Sequence, residues 1–187
     1  MKLLGKNALL YWLKYPFGIY TVGFISVSVW IFILMAVYSV TGKTNGFISI
    51  GQWKTGYIDH ERQVETVRFH YPVSRMVLAT ENSSEGILLA FLGLLSICFI
   101  LVTVLKIIIE LSKDNFFTGK AIQNFKILGL GLLMFGAVQL IVNWLIASHN
   151  LDLTSSFLFI LTGLIFMFLK EIFVKGKMMQ DENDLTI

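Results

Sequence analysis

The sequence predicts an all-α membrane protein, a four-transmembrane-helix bundle with a small β-rich extracytoplasmic loop domain. Three observations carry that expectation. Gly86 to Leu105, GILLAFLGLLSICFILVTVL, contains no charged side chain and lies between Glu85 and Lys106. As a helix at ~1.5 Å per residue it is ~30 Å long, the thickness of a bilayer's hydrocarbon core. Three comparable apolar runs accompany it, which argues against a single buried helix in a soluble core. The composition is 56% hydrophobic and 14% charged, against about 25% charged in soluble domains. No polar stretch is long enough to hold a separate soluble domain, so residues 1–187 are expected to form one membrane domain.

The elements follow in order. Residues 2–14 place Lys2, Lys6 and Lys14 among Leu3, Leu9, Leu10, Trp12 and Leu13, the pattern of a short interfacial helix with snorkelling lysines. Pro16 marks the start of the first span, 17–40. This run exceeds the apolar core of a signal peptide and ends in no good small-x-small site, so it reads as an uncleaved anchor.

Residues 41–85 are the polar insert, which holds all three arginines, Arg62, Arg68 and Arg75. Gly42, Gly46, Gly51 and Gly56 punctuate its first half as turns. Phe47 to Ile50 and Val64 to Tyr71 read as strands, with Val67, Phe69 and Tyr71 on one face and Thr66, Arg68 and His70 on the other. Pro72 ends the second strand, and Met76 to Thr80 makes a third. The insert is expected to rest as a cap on the helix ends.

The second span, 86–105, continues as helix through Glu110 until Asp114-Asn115 breaks it. Thr118 is the expected N-cap of the next helix, whose first turns through Lys126 should be exposed. The third span, 127–147, and the fourth, 154–174, are joined by a link short enough to force an antiparallel hairpin. A polar tail, 175–187, completes the chain.

Lysine placement orients the spans, because basic residues stay on the cytoplasmic side. Lysines cluster at the N-terminus, in the loop 106–126 (Lys106, Lys113, Lys120, Lys126) and around the tail (Lys170, Lys175, Lys177), and the link between spans three and four has none. Both termini are therefore expected in the cytoplasm of a bacterial cell, with the chain in its inner membrane.

Few side chains suggest chemistry. Gln139 and Asn143 share one face of the third span; the plain reading is hydrogen-bonded glue between helices, and the sharper one is a polar spot that senses a small amphiphile. Gly129, Gly131, Gly136 and Ala137, with Gly93, Ser96 and Gly163 on neighbouring spans, favour close packing there. No ionisable residue sits mid-span, which argues against a proton-coupled pump. His60, Glu61 and His70 fit no zinc spacing, and Asn82-Ser83-Ser84 matches a glycosylation acceptor only formally. The single cysteine, Cys98, excludes a disulfide within one chain. Neither a nucleophile elbow nor a phosphate-binding loop is present. We expect no enzyme activity, no cofactor, no metal and no direct nucleic-acid binding.

What remains is the cytoplasmic face. Phe116, Phe117, Ile122 and Phe125 stand among lysines, and Asp181, Glu182 and Asp184 lie in the tail. Embedding in the headgroup region is one reading. The other is a docking surface for a cytosolic partner, with the acidic tail folding across it.

At these residues the chain resembles a known family. LSKDNFFTGKAIQNFKILGLG is similar to the loop-to-third-helix signature of the bacterial membrane family called domain of unknown function 2975, in which a phenylalanine and a Thr/Ser cap match Phe117 and Thr118. The ending, Gly176 through DENDLTI, resembles that family's acidic tail. Members often carry an acid or amide where Gly119, Lys120 and Ala121 stand here. The resemblance implies four spans with an outer loop after the first, and a small helix-turn-helix regulator as neighbour. The expected partners are the bilayer and that cytosolic DNA-binding regulator, bound through Phe116, Phe117, Lys120, Asp181 and Glu182. The alternative is an accessory or immunity-type subunit that binds another membrane protein or transporter through the glycine-rich third span.

Overall fold

The computed structural model describes residues 9–55, 62–72, 74–113, 117–146 and 153–184. Among them are four helices, α1 (Leu9–Thr41), α2 (Ser84–Leu111), α3 (Gly119–Ile146) and α4 (Thr154–Asp184), and three strands, β1 (Ile48–Thr55), β2 (Arg62–His70) and β3 (Val77–Glu81). All four helices are long and apolar enough to cross a membrane.

Each boundary has a local cause. α1 runs through Pro16 without ending, where the sequence reading separated an interfacial helix from the span. Proline removes one backbone hydrogen bond, and spanning helices tolerate that loss. Lys14 Nζ stands 3.8 Å from the centre of the Tyr11 ring, a cation–π contact at the helix start. Within the apolar run, Thr21 and Ser28 donate their hydroxyls to the carbonyls of Phe17 and Phe24, both at 2.8 Å, so neither leaves a polar atom facing lipid. α1 stops at Gly42, whose φ of 63° suits glycine and whose N–H donates to the Tyr38 carbonyl at 2.8 Å, an αL cap. Ser83 caps α2, its Oγ accepting from the Gly86 N–H at 3.0 Å. Thr118 caps α3 as expected, accepting from the Ala121 N–H at 3.1 Å.

The chain divides into two compact units. In the unit Gly23–Leu95, the strands form one antiparallel sheet in the order β1-β2-β3. Its register places Ile48 opposite Phe69 and Ile50 opposite Val67, and Leu78 opposite Phe69 on the other side. The Val67–Phe69 face is the buried one, as alternation predicts. It packs against Ile31, Leu34, Met35 and Tyr38 of α1 and Leu94 of α2.

That contact corrects the expectation of a cap on the helix ends. Ile31 lies ten residues before the end of α1, ~15 Å along its axis. The sheet therefore lies along the flank of α1 on a stripe at i, i+3, i+4 and i+7. Trp30 meets Phe47 edge-on at 5.3 Å, and Tyr38 meets Phe69 edge-on at 6.1 Å. Asn82 ties the end of β3 to both neighbours: it accepts from the Tyr38 hydroxyl at 2.6 Å and donates to Glu65 Oε2 at 3.1 Å.

The other unit comprises Met1–Val22 and Ser96–Ile187. Here Ile107 of α2 packs with Phe125, Leu128 and Leu132 of α3, flanked by Phe159, Phe166, Leu169 and Phe173 of α4. α3 and α4 are antiparallel. A Cβ on Gly129 would meet Gly163 and Met167, and one on Gly136 would meet Ser156 and Ile160, so the contact numbers rise on one helix as they fall on the other. Three glycines let the two backbones touch, the small-residue packing of membrane helices. α4 does not stop at Val174. It continues to Asp184, so the expected polar tail is largely helix, built from Lys, Met, Gln and Glu that favour one.

Candidate functional site

The start of α3 and the end of α4 lie together because the hairpin is antiparallel. Phe117, just before the Thr118 cap, is half-buried rather than presented to solvent. Its ring stands 5.4 Å from that of Phe173 and fills the place of a side chain on Gly176, where a Cβ would collide with Cε1. Phe125 extends this aromatic cluster to Phe173 at 4.7 Å and Phe166 at 6.2 Å. Ala121 and Phe125 are buried, so only part of the first turns of α3 is exposed, contrary to the sequence expectation. The glycine at 176 is what gives Phe117 its seat.

Beyond that seat α4 is an overhang. Eight residues, Lys177 to Asp184, extend ~12 Å past the turn that holds Phe117. Met178, Met179, Asp181 and Glu182 are exposed on it. Lys120 is exposed on the first turn of α3. The tail thus continues outward and does not fold across the loop. Phe116 lies outside the described residues. Of the five residues expected to bind a partner, Lys120, Asp181 and Glu182 are on the surface and Phe117 serves internal packing.

Nearer the hairpin, Gln139 is 6% exposed, and its Oε1 has no hydrogen-bond partner. Asn143, one turn on, is half-buried. A residue missed in the sequence completes the picture. Ser156 is fully buried, and its Oγ also has no partner. Only its position on the helix face opposite Gly136 could have flagged it. Leaving such a group unpaired costs about 1–3 kcal/mol.

The glycines assigned to assembly with another membrane protein are occupied within the chain. Gly129 and Gly136 face α4, and a Cβ on Gly131 would collide with the Phe99 ring of α2. In the sheet, His70 Nε2 is 2.9 Å from Ser49 Oγ; His60 and Glu61 lie outside the described residues. The side-chain amide of Asn82 in the formal glycosylation acceptor is held by Tyr38 and Glu65. Cys98 is half-buried and free.

A family model described as "Protein of unknown function (DUF2975)" matches residues 6–187. The chain belongs to the DUF2975 family. No curated protein and no solved structure matches it. As a DUF2975 member it carries the two stretches that the sequence reading singled out, and both fall at one place. Phe117 and Thr118 open α3, and Gly176 begins the turn of α4 against which Phe117 rests.

Proposed function

We propose that this DUF2975 protein is a regulatory multi-pass protein of the bacterial inner membrane that docks a small cytosolic helix-turn-helix regulator. The observation that carries the reading is the overhang of α4. A helix end with two exposed methionines followed by Asp181 and Glu182 offers apolar contact beside negative charge. A DNA-binding regulator carries its lysines and arginines on the face that neutralises phosphates, and an acidic helix competes for that same face. Phe117 anchors the overhang to the loop before α3, so a shift of α4 against α3 changes what the partner meets. A signal acts on this arrangement only if it binds one helix arrangement better than the other.

The test is a pull-down, on full-length protein in detergent, of the small helix-turn-helix regulator that the family resemblance implies. Capture should weaken in the double variant Asp181→Asn/Glu182→Gln and with rising salt, and disappear on deletion of residues 178–187. Capture that survives the deletion removes the overhang as the docking element, and with it this reading.

A further inference from the structure

We propose that the hairpin end of the α3–α4 seam binds one small hydroxyl-bearing molecule between Gln139 and Ser156. Both side chains are more than nine-tenths buried, and each leaves an oxygen without a hydrogen-bond partner. They lie on facing helices at the same level. A Cβ on Gly136 would stand 3.0 Å from the Ser156 carbonyl, and Gln139 follows Gly136 by three residues on the same face of α3. Side chains on a helix lean toward its N-terminus. Gln139 therefore reaches back toward the level of Gly136, while Ser156 on the antiparallel helix leans the opposite way, toward Gln139.

Other hydroxyls in the apolar runs resolve their burial locally. Thr21, Ser28 and Thr103 each donate to the carbonyl four residues earlier. Ser156 sits in the first turn of α4, which begins at Thr154, and its Oγ makes no such bond. Both side chains are buried within the seam, so neither oxygen reaches a hydrogen-bonding group outside the protein.

The chemistry of the two atoms selects the ligand. Gln139 Oε1 only accepts, so the ligand must donate a hydrogen to it. Ser156 Oγ donates as readily as it accepts. A hydroxyl meets both, whereas a carboxylate cannot donate to Oε1 and an ammonium, which could donate to both oxygens, would bring an unpaired charge into a buried seam. The hydroxyl belongs either to water or to a lipid-soluble alcohol. This site is independent of the docking reading, because it uses neither the overhang nor its charges.

The test uses full-length protein in nanodiscs, with the Gln139 side-chain amide resonance assigned by its loss in Gln139→Leu. Two signals support the site: magnetisation transfer from water to that amide, or a saturable shift on adding 1-hexanol that hexane does not reproduce. The first names water as occupant and the second an alcohol. Ser156→Ala should abolish the water transfer or weaken the 1-hexanol response at least tenfold, and Ser156→Thr should restore it. Absence of both signals in the wild type overturns the proposal. So does a signal unchanged in Ser156→Ala.

Discussion

Replacing Gly163 with alanine probes the α3–α4 seam where a new Cβ would come closest to the facing backbone. The new Cβ would stand 2.9 Å from the Gly129 carbonyl oxygen, 3.0 Å from the Leu133 backbone nitrogen and 3.0 Å from Leu133 Cγ. Two of these neighbours are backbone, so no rotamer change relieves them, and the helices must separate by several tenths of an ångström. Overpacking of this kind costs about 1–3 kcal/mol. Alanine returns up to ~1 kcal/mol through its better helix propensity. The net loss should be about 0–3 kcal/mol. Gly23→Ala is the control, because nothing lies within 4 Å of a Cβ there, and it should be neutral or stabilising by up to ~1 kcal/mol. SDS-titration unfolding followed by tryptophan fluorescence should therefore separate the two variants by about 1–3 kcal/mol. If Gly163→Ala proves as stable as Gly23→Ala, the close backbone approach of α3 and α4 is wrong.

Three other changes have defined outcomes. Thr118→Ala removes the side-chain acceptor for the Ala121 N–H and should cost about 1 kcal/mol, with Thr118→Ser retaining most of the stability in the same titration. Tyr38→Phe breaks the 2.6 Å bond to Asn82 and should cost about 0.5–1.5 kcal/mol, whereas Trp30→Phe, which deletes a buried Nε1 without a partner, should be less harmful per polar atom removed. Burial raises the pKa of Tyr71 above its ordinary value. Its neutral form is thus favoured by folding, a contribution present below the unfolded pKa of ~10 and lost as pH rises past it; an absorbance titration of wild type against Tyr71→Phe should place this tyrosine's midpoint on the alkaline side of an exposed one.

Much of the fold was legible because its signals are local. Uncharged runs of spanning length identify α1 to α4, alternation about Val67 and Phe69 identifies the core strand, and a threonine before a helical pattern identifies the α3 cap. Apolar periodicity carries no information about which partner covers a face. Ile31, Leu34, Met35 and Tyr38 read as lipid-facing as readily as sheet-facing, and only the structure shows that the sheet lies along them. The helical tail was missed because charged residues, which signal the end of a span, are also good helix formers. At the docking face, Phe117 looked exposed because its seat, Gly176, is remote in sequence. Ser156 was invisible for a similar reason: one serine in an apolar helix usually returns its hydroxyl to its own backbone, as Ser28 does.

The proposed docking reading requires positions 120 and 181 to be on the cytoplasmic side of the membrane and position 44 on the outer side. In a Cys98→Ser background, the single substitutions Thr44→Cys, Lys120→Cys and Asp181→Cys can be probed with a membrane-impermeant maleimide on intact cells and again after lysis. The expected result is labelling at position 44 on intact cells, and at 120 and 181 only after lysis. Labelling of 120 or 181 on intact cells, alongside 44, would contradict the four-span arrangement and the docking face built on it.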